Sequence, residues 1–328
     1  MELLRIIAML LVMVVHADGR ALHFPTVIEV NDAPCSSFLR YLTESFSIVC
    51  VDTFVLLSGW FGIHLKLKRL SELLFQIFFF SVVCVAFYVL FSAKKVSLTD
   101  ALYHIFILDK GDYWFIKCYL GLYILSPVLN AFVEKVTQKE YASFLIIFFV
   151  FQTVLGWCSN SASYIEYGYS AFSFMGLYLL ARYVRLYPYK WSVMPRRFDL
   201  LVYLIVVCIL TASAFLFRYN NVKYDGTFLY TNPLVIIASL HLLLFFSKMR
   251  LTSRFVNWIA VSSFAIYLVH SNHYIYLDYY DAVIKGWFDS LTRCPFILCT
   301  TLLIAVVFII SILTDKVRIL IWKRLIKE

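Results

Sequence analysis

Long apolar segments alternate with short polar connections along the whole chain. Ten of these segments approach the length of about 20 residues that an α-helix needs to cross a bilayer. The predicted helices cover residues 2–17, 41–62, 71–92, 113–133, 141–157, 169–184, 199–217, 233–247, 255–272 and 294–313. The pattern therefore predicts an all-α, polytopic integral membrane protein with about ten transmembrane helices.

The composition supports this fold class. Of the 328 residues, 62% are hydrophobic and only 15% are charged, whereas charged residues make up about 25% of an average soluble domain. Apolar segments recur from one end of the chain to the other, so we expect a single transmembrane domain over residues 1–328. The first apolar segment lacks a small-residue cleavage pattern and is expected to be retained as a helix.

The charges indicate the orientation in the membrane. With both termini in the cytoplasm, 19 of the 29 Lys and Arg residues lie at inner ends or in inner loops, as the positive-inside rule requires. The acidic residues predicted to lie outside are Asp109, Asp112, Glu166, Asp225, Asp278, Asp281 and Asp289. The net charge of +9 is thus explained by topology, and a nucleic-acid partner is not expected.

The first predicted helix carries Arg5 and His16 in an otherwise apolar stretch. Eleven residues correspond to about three turns, so both side chains lie on one face, about 16 Å apart along the axis. Polar side chains within a span commonly mark a functional path. Alternatively, Arg5 anchors the inner end of the helix at the membrane surface and His16 is solvated at its outer end. The spacing alone does not separate these two interpretations.

The second predicted helix contains VDTFVLLSGWFG, with Asp52 at nearly the same predicted depth as His16. A carboxylate on a neighbouring helix would fix the imidazole tautomer and raise its basicity. We therefore predict a hydrogen bond between His16 and Asp52, with a structural buried pair as the alternative. Ser58 and Gly59 follow; such small residues usually allow close helix packing.

Five segments together resemble the membrane acyltransferase 3 family. They are Arg5-x10-His16, VDTFVLLSG (51–59), YWFIKCYLGLYILSPVLN (113–130), YTNPLVIIASL (230–240) and SSFAIYLVH (262–270). The resemblance covers the whole chain in the correct order and is greatest to bacterial cell-surface polysaccharide O-acetyltransferases. The chain differs from the family pattern in two respects. The chain has Thr53-Phe54-Val55 where the family often has two phenylalanines, and it shows none of the extracytoplasmic esterase-like domains of some members.

The resemblance implies a function and a set of residues. Members transfer an acyl group from cytoplasmic acyl-CoA, here expected to be acetyl-CoA, to an extracytoplasmic hydroxyl, so the predicted location is the bacterial cell membrane. It assigns the family's functional pair to Arg5 and His16 and its acidic residue to Asp52. Arg5 would bind donor phosphates, Ser58 would be a second contact for the donor, and His16 would be the general base. Acyl-His16 and acyl-Ser58 intermediates are further routes.

Other residues are weaker candidates. Trp114 and Lys117 begin the fourth predicted helix, and Tyr267 and His270 end the ninth. Each is a predicted contact for a glycan or lipid-linked sugar acceptor, although aromatic belts, snorkelling lysines and solvated histidines are common at these positions. The histidines show no metal-binding spacing and the chain has no nucleotide-binding motif, so we expect neither metal nor bound cofactor.

Two non-enzymatic functions are the alternatives. A transporter or flippase of a glycan or lipid intermediate should show inverted repeats and paired broken helices, and no such repeat is visible. A membrane sensor should carry an output domain, which the sequence does not show. Neither function explains why Arg5, His16 and Asp52 occur within apolar segments, so an O-acyltransferase is the preferred prediction.

Overall fold

The computed structural model describes residues 1–92, 94–108, 113–159, 163–222, 224 and 226–326. Within these ranges the fold is all-helical, as predicted, and no residue forms a β-strand. Asp109, Asp112, Asp225 and Lys327, four of the charges used to predict the orientation, lie outside the described residues.

The helices agree closely with the apolar segments. They are α1 (Glu2–Val15), α2 (Val27–Asp32), α3 (Pro34–Ser47), α4 (Cys50–Phe61), α5 (Leu67–Phe91), α6 (Leu98–Ile105), α7 (Trp114–Lys135), α8 (Gln138–Gln152), α9 (Ala171–Leu186), α10 (Arg196–Tyr219), α11 (Pro233–Ser247), α12 (Arg254–Ala260), α13 (Ser263–His270), α14 (His273–Ile275), α15 (Ala282–Ser290) and α16 (Arg293–Leu325). Every predicted helix overlaps at least one of them.

Three helices continue into π-helical segments, and two predicted helices are broken. The π-helical segments are His16–Arg20 after α1, Thr153–Cys158 after α8 and Tyr276–Asp281 after α14. The predicted helix 41–62 is split into α3 and α4, and the predicted helix 255–272 is split into α12 and α13. Wider turns of this kind often occur at functional sites, and one of them begins at His16.

Among the described residues, seven helical stretches are long and apolar enough to cross a membrane. They are Pro34–Phe61, Leu67–Phe91, Trp114–Lys135, Gln138–Cys158, Arg196–Tyr219, Gly226–Ser247 and Arg293–Leu325. Large apolar residues such as Leu90, Val128 and Ile146 point outward from them, as lipid contact requires. The chain is therefore a multi-pass membrane protein. The count of ten spans and the cytoplasmic termini remain predictions.

Helix α1 lies at the centre of the bundle. It packs against α3, α4, α12 and α13, and Leu4, Ala8 and Met13 on it are fully buried. The chain around it is closely packed: a Cβ added at Gly59 of α4 would lie 2.3 Å from the backbone oxygen of Tyr178 on α9. Gly59 thus allows the close helix approach that its sequence context predicts.

The C-terminal segment differs from the prediction. The tenth helix was expected to end near residue 313 and to be followed by a basic tail, but α16 continues to Leu325. Asp315 and Arg318 are buried in this continuation. Asp315 Oδ1 accepts a 2.9 Å hydrogen bond from Gln76 of α5, and Arg318 contacts Glu72 at 3.3 Å. These buried polar contacts bind the helix to α5 and extend it beyond the apolar segment.

Candidate active site

Two cavities lie at opposite ends of α1. The first, the Arg5 cavity, has a volume of about 440 Å³ and is lined by Arg5, Ser58 and Tyr119 among others. The second, the His16 cavity, has a volume of about 420 Å³ and is lined by His16 and Trp114 among others. Both volumes fall within the range of small-molecule sites, roughly 300–1,000 Å³. The predicted functional pair on α1 is therefore divided between two separate sites.

Three phenylalanines form a common wall between the cavities. Phe54 of α4, Phe115 of α7 and Phe264 of α13 line both of them. The rings of Phe54 and Phe115 meet edge to face, with centroids 6.2 Å apart. The residues common to the two linings are thus all apolar.

Arg5 lies in the first turns of α1 and lines the Arg5 cavity. Its Nη1 donates a 2.7 Å hydrogen bond to Glu2, and each side chain is about one-third exposed, 36% for Arg5 and 35% for Glu2. An ion pair this exposed is weak, so an anionic ligand can displace Glu2. Arg69 and His64 line the same cavity and give it further cationic or hydrogen-bonding groups.

His16 forms its closest contact with His270 of α13. Nδ1 of His16 lies 3.0 Å from Nε2 of His270, and Nδ1 of His270 lies 2.6 Å from the backbone oxygen of Ile266. The carbonyl oxygen can only accept, so His270 carries its proton on Nδ1 and, as a neutral ring, accepts at Nε2. This assigns the proton of His16 to Nδ1 and leaves its Nε2 with a free lone pair.

The other nitrogen of His16 is available to a ligand. No described residue forms a hydrogen bond with Nε2, and the side chain lines the His16 cavity. An unprotonated imidazole nitrogen at a cavity wall is suited to general-base chemistry. The sequence predicts a histidine base whose tautomer is fixed by a neighbouring side chain. The structure has such a pair, with His270 in place of Asp52 as the partner of His16.

Arg20 lies beside His16 at the edge of the same cavity. Its Nη1 is 3.3 Å from His16 Nδ1, while Nε and Nη2 each donate a 2.8 Å hydrogen bond to the carboxylate of Asp281. Burial raises the pKa of Asp281, and the pairing with Arg20 opposes that rise. The guanidinium also lies over the ring of Tyr276, 4.5 Å from its centroid. Arg20 is therefore held firmly next to the imidazole.

The predicted hydrogen bond between His16 and Asp52 is absent. Asp52 is fully buried in the first turn of α4, and neither carboxylate oxygen has a hydrogen-bond partner among the described residues. The prediction placed α4 against the imidazole, whereas the contacts of His16 come from the segment 270–271 and from Arg20. The orienting position is occupied by His270.

Ser58 lines the Arg5 cavity, away from His16. Its hydroxyl donates a 3.0 Å hydrogen bond to the backbone oxygen of Phe54, and Tyr119 Oη lies 3.3 Å away. Because a serine hydroxyl has one hydrogen, Tyr119 is the donor in the second contact. Ser58 forms no hydrogen bond with a histidine or carboxylate in the described ranges, so no general base activates it here.

Of the four residues predicted to contact the acceptor, two line the His16 cavity and two do not. Trp114 and Tyr267 line the His16 cavity, whereas Lys117 lies one turn into α7 and is not among the described residues that line either cavity. His270 is 0% exposed, lines neither cavity and contacts the cavity residue His16. The sequence predicts a position near the outer surface for this side chain, and the structure buries it inside the bundle.

Several residues of the site were not identified from the sequence. Arg20 is four residues after His16, a spacing that places side chains on the same helix face, and that signal was available. Glu44 and Asp281 reach the site from distant segments, and no local pattern marks them. Within the described residues, no group of three or more His, Cys, Asp or Glu side chains is arranged to hold a metal ion.

Comparison with known proteins identifies a family for this chain. A family model described as an acyltransferase domain, Acyl_transf_3, matches residues 1–313. No curated protein and no solved structure matches the chain. The matched region includes α1, both cavities and the wall of phenylalanines between them.

Proposed function

The chain belongs to the acyltransferase 3 family, and from this membership we propose that it is a membrane O-acetyltransferase. The donor is acetyl-CoA in the cytoplasm, and the acceptor is a hydroxyl group of a polysaccharide or lipid-linked glycan on the other side of the membrane. The acetyl group passes from the Arg5 cavity to the His16 cavity. We place the enzyme in the bacterial cell membrane.

One observation supports this proposal above all others. The two functional residues of α1 line two different cavities, and these cavities share a wall made of Phe54, Phe115 and Phe264. An enzyme that joins substrates from opposite sides of a membrane needs such an arrangement: two entrances and one thin apolar barrier where the substrates meet. A single aqueous active site needs no such wall.

The Arg5 cavity is the proposed donor site. Acetyl-CoA carries several phosphate charges, and guanidinium groups bind phosphates by charge-assisted, often bidentate hydrogen bonds. Arg5 and Arg69 both line this cavity, and within the described residues the ion-pair partner of Arg5 is the partly exposed Glu2. The thioester end would then extend along the apolar lining, past Phe54, towards His16.

The His16 cavity is the proposed site of reaction. Nε2 of His16 takes the proton of an acceptor hydroxyl as its oxygen attacks the thioester carbonyl carbon. The carbon–sulfur bond then breaks, the acetyl ester remains on the acceptor, and the CoA thiolate receives the proton from His16. His270 holds the imidazole in the required tautomer.

This scheme makes direct transfer the simplest route. An acyl-Ser58 intermediate is disfavoured because the Ser58 hydroxyl is hydrogen-bonded to a backbone oxygen and lies in the other cavity from His16. A transporter or flippase does not require an oriented base at the end of a cavity, and the family match gives that alternative no support.

Turnover of radiolabelled acetyl-CoA by the purified protein in nanodiscs tests the proposal. Wild type is compared with His16→Ala, with His23→Asn as the histidine control. His23 is exposed with a φ of 56°, which asparagine tolerates better than alanine. We expect acetate release by wild type and His23→Asn and at least a hundredfold loss in His16→Ala. Equal turnover by His16→Ala, with normal folding, would refute the proposal.

A further inference from the structure

We propose that Glu44 of α3 binds the hydroxyl groups of a pyranose ring in the His16 cavity. This inference rests on the proposed function and names its acceptor site. Glu44 lines the cavity, is 1% exposed, and its Oε2 atom has no hydrogen-bond partner among the described residues. A buried oxygen without a partner is costly unless a ligand or solvent supplies the missing donor.

The neighbouring cations are already paired. Arg40 Nε donates a 2.7 Å hydrogen bond to Asp18, and another nitrogen of Arg40 donates to the backbone oxygen of His23. Arg20 is bound by both oxygens of Asp281. The carboxyl group of Glu44 is therefore left to accept hydrogen bonds from O–H donors, and a sugar ring supplies several such donors from one edge.

The carboxyl group of Glu44 lies next to Gly19, close to the base in the sequence. A Cβ added at Gly19 would lie 3.1 Å from Oε2 and 3.2 Å from Oε1 of Glu44. Gly19 is three residues after His16 in the same π-helical segment, so the carboxyl group approaches the part of the helix that presents the base. A ring held by Glu44 would place a neighbouring hydroxyl towards His16.

The cavity also has an aromatic wall. Trp114, Tyr169 and Tyr230 all line it, with ring centroids 4.3 Å apart for Trp114 and Tyr169 and 5.1 Å apart for Tyr169 and Tyr230. A pyranose ring has an apolar C–H face and a polar hydroxyl edge. The aromatic rings can pack against the apolar face of the sugar. A few polar groups, such as Glu44 and His16, can form hydrogen bonds with its hydroxyl edge.

Steady-state kinetics with defined acceptors test this inference. The probes are acetyl-CoA with the methyl pyranosides of glucose, galactose, mannose and N-acetylglucosamine, and with cyclohexylmethanol, which has one hydroxyl on a ring of similar size. The variants are Glu44→Ala and Glu44→Gln. Glu134→Ala is the control, because Glu134 is exposed on α7 and lines neither cavity. Acceptor-free hydrolysis of acetyl-CoA is measured in parallel.

We expect Glu44→Ala to raise the KM for the best pyranoside roughly 10- to 100-fold, the effect of losing about two hydrogen bonds to a buried carboxyl group. Glu44→Gln retains one acceptor oxygen and should raise the KM for the pyranoside less than Glu44→Ala does. The KM for cyclohexylmethanol should change by less than about threefold, since one hydroxyl forms fewer such bonds. Glu134→Ala should match wild type with every probe.

Two results would overturn the inference while the proposed function stands. The first is His16-dependent hydrolysis of acetyl-CoA by wild type together with an unchanged pyranoside KM in both Glu44 variants. The second is the same hydrolysis with no transfer to any pyranoside. Absence of both hydrolysis and transfer in wild type would instead remove the proposed function, and this inference with it.

Discussion

Replacement of His270 by phenylalanine is expected to slow acetyl transfer by preventing the correct protonation of His16. Nε2 of His270 is the acceptor for His16 Nδ1, at 3.0 Å, and phenylalanine fills similar space without an acceptor atom. The proton of His16 can then move to Nε2, with Nδ1 turned towards Arg20 Nη1, 3.3 Å away. That tautomer has no lone pair for the acceptor hydroxyl.

The size of the effect follows from the lost contact. Leaving a partly buried donor without its partner costs about 1–3 kcal/mol. If the productive tautomer is disfavoured by this amount, kcat falls roughly 5- to 150-fold. His270→Gln supplies a side-chain oxygen that can accept from His16, so its loss should be smaller, within about tenfold of wild type.

The assay is kcat for acetyl-CoA turnover by wild type, His270→Phe and His270→Gln in nanodiscs. The KM for acetyl-CoA serves as an internal control, because His270 lies outside the Arg5 cavity and should not affect donor binding. Thermal unfolding of each variant separates a catalytic effect from a loss of folded protein. A kcat for His270→Phe equal to that of wild type would refute the assignment of His270 as the orienting residue.

Two further substitutions test other parts of the site. Arg5→Ala removes a proposed phosphate contact, so we expect the KM for acetyl-CoA to rise roughly 10- to 100-fold; an unchanged donor KM would contradict the phosphate role. Asp52→Asn replaces a buried carboxyl group that has no hydrogen-bond partner in the part of the chain that the structure describes by an amide of equal size. We expect the melting temperature to stay constant or to rise by up to about 4 °C, and a marked fall would reveal a stabilising partner.

The helices were predictable because their signal is local. Runs of apolar residues bounded by polar connections place α5, α7, α10 and α11 within a few residues of their observed ends. The break between α12 and α13 was not predicted, since SSFAIYLVH is as apolar as a continuous span. Such breaks depend on tertiary contacts, which can satisfy the freed backbone groups inside a bundle.

The candidate site was predicted only in part for the same reason. The spacing of Arg5 and His16 placed both residues on one helix, and each lines a cavity. The partner of His16 was not predictable, because 254 residues separate it from His270 in the sequence. Equal depth on two consecutive helices suggested Asp52, but packing of α1 against α13 brings a different side chain to the imidazole.

The buried charges of α16 illustrate a further limit. Asp315 and Arg318 follow the apolar segment and read as part of a basic tail at the membrane surface. In the structure they are buried against Gln76 and Glu72 of α5. Composition indicates only that a charged segment prefers water, whereas a matching set of polar side chains on a neighbouring helix allows its burial.

In the proposed reaction, donor and acceptor enter from opposite sides of the membrane and meet at the wall of Phe54, Phe115 and Phe264. The most direct test uses sealed proteoliposomes loaded with methyl pyranosides, with radiolabelled acetyl-CoA added only outside. We expect labelled acetyl-pyranoside to accumulate in the lumen and His16→Ala to abolish this accumulation. Acetylation that occurs only when both substrates are on the same side would refute transfer across the membrane.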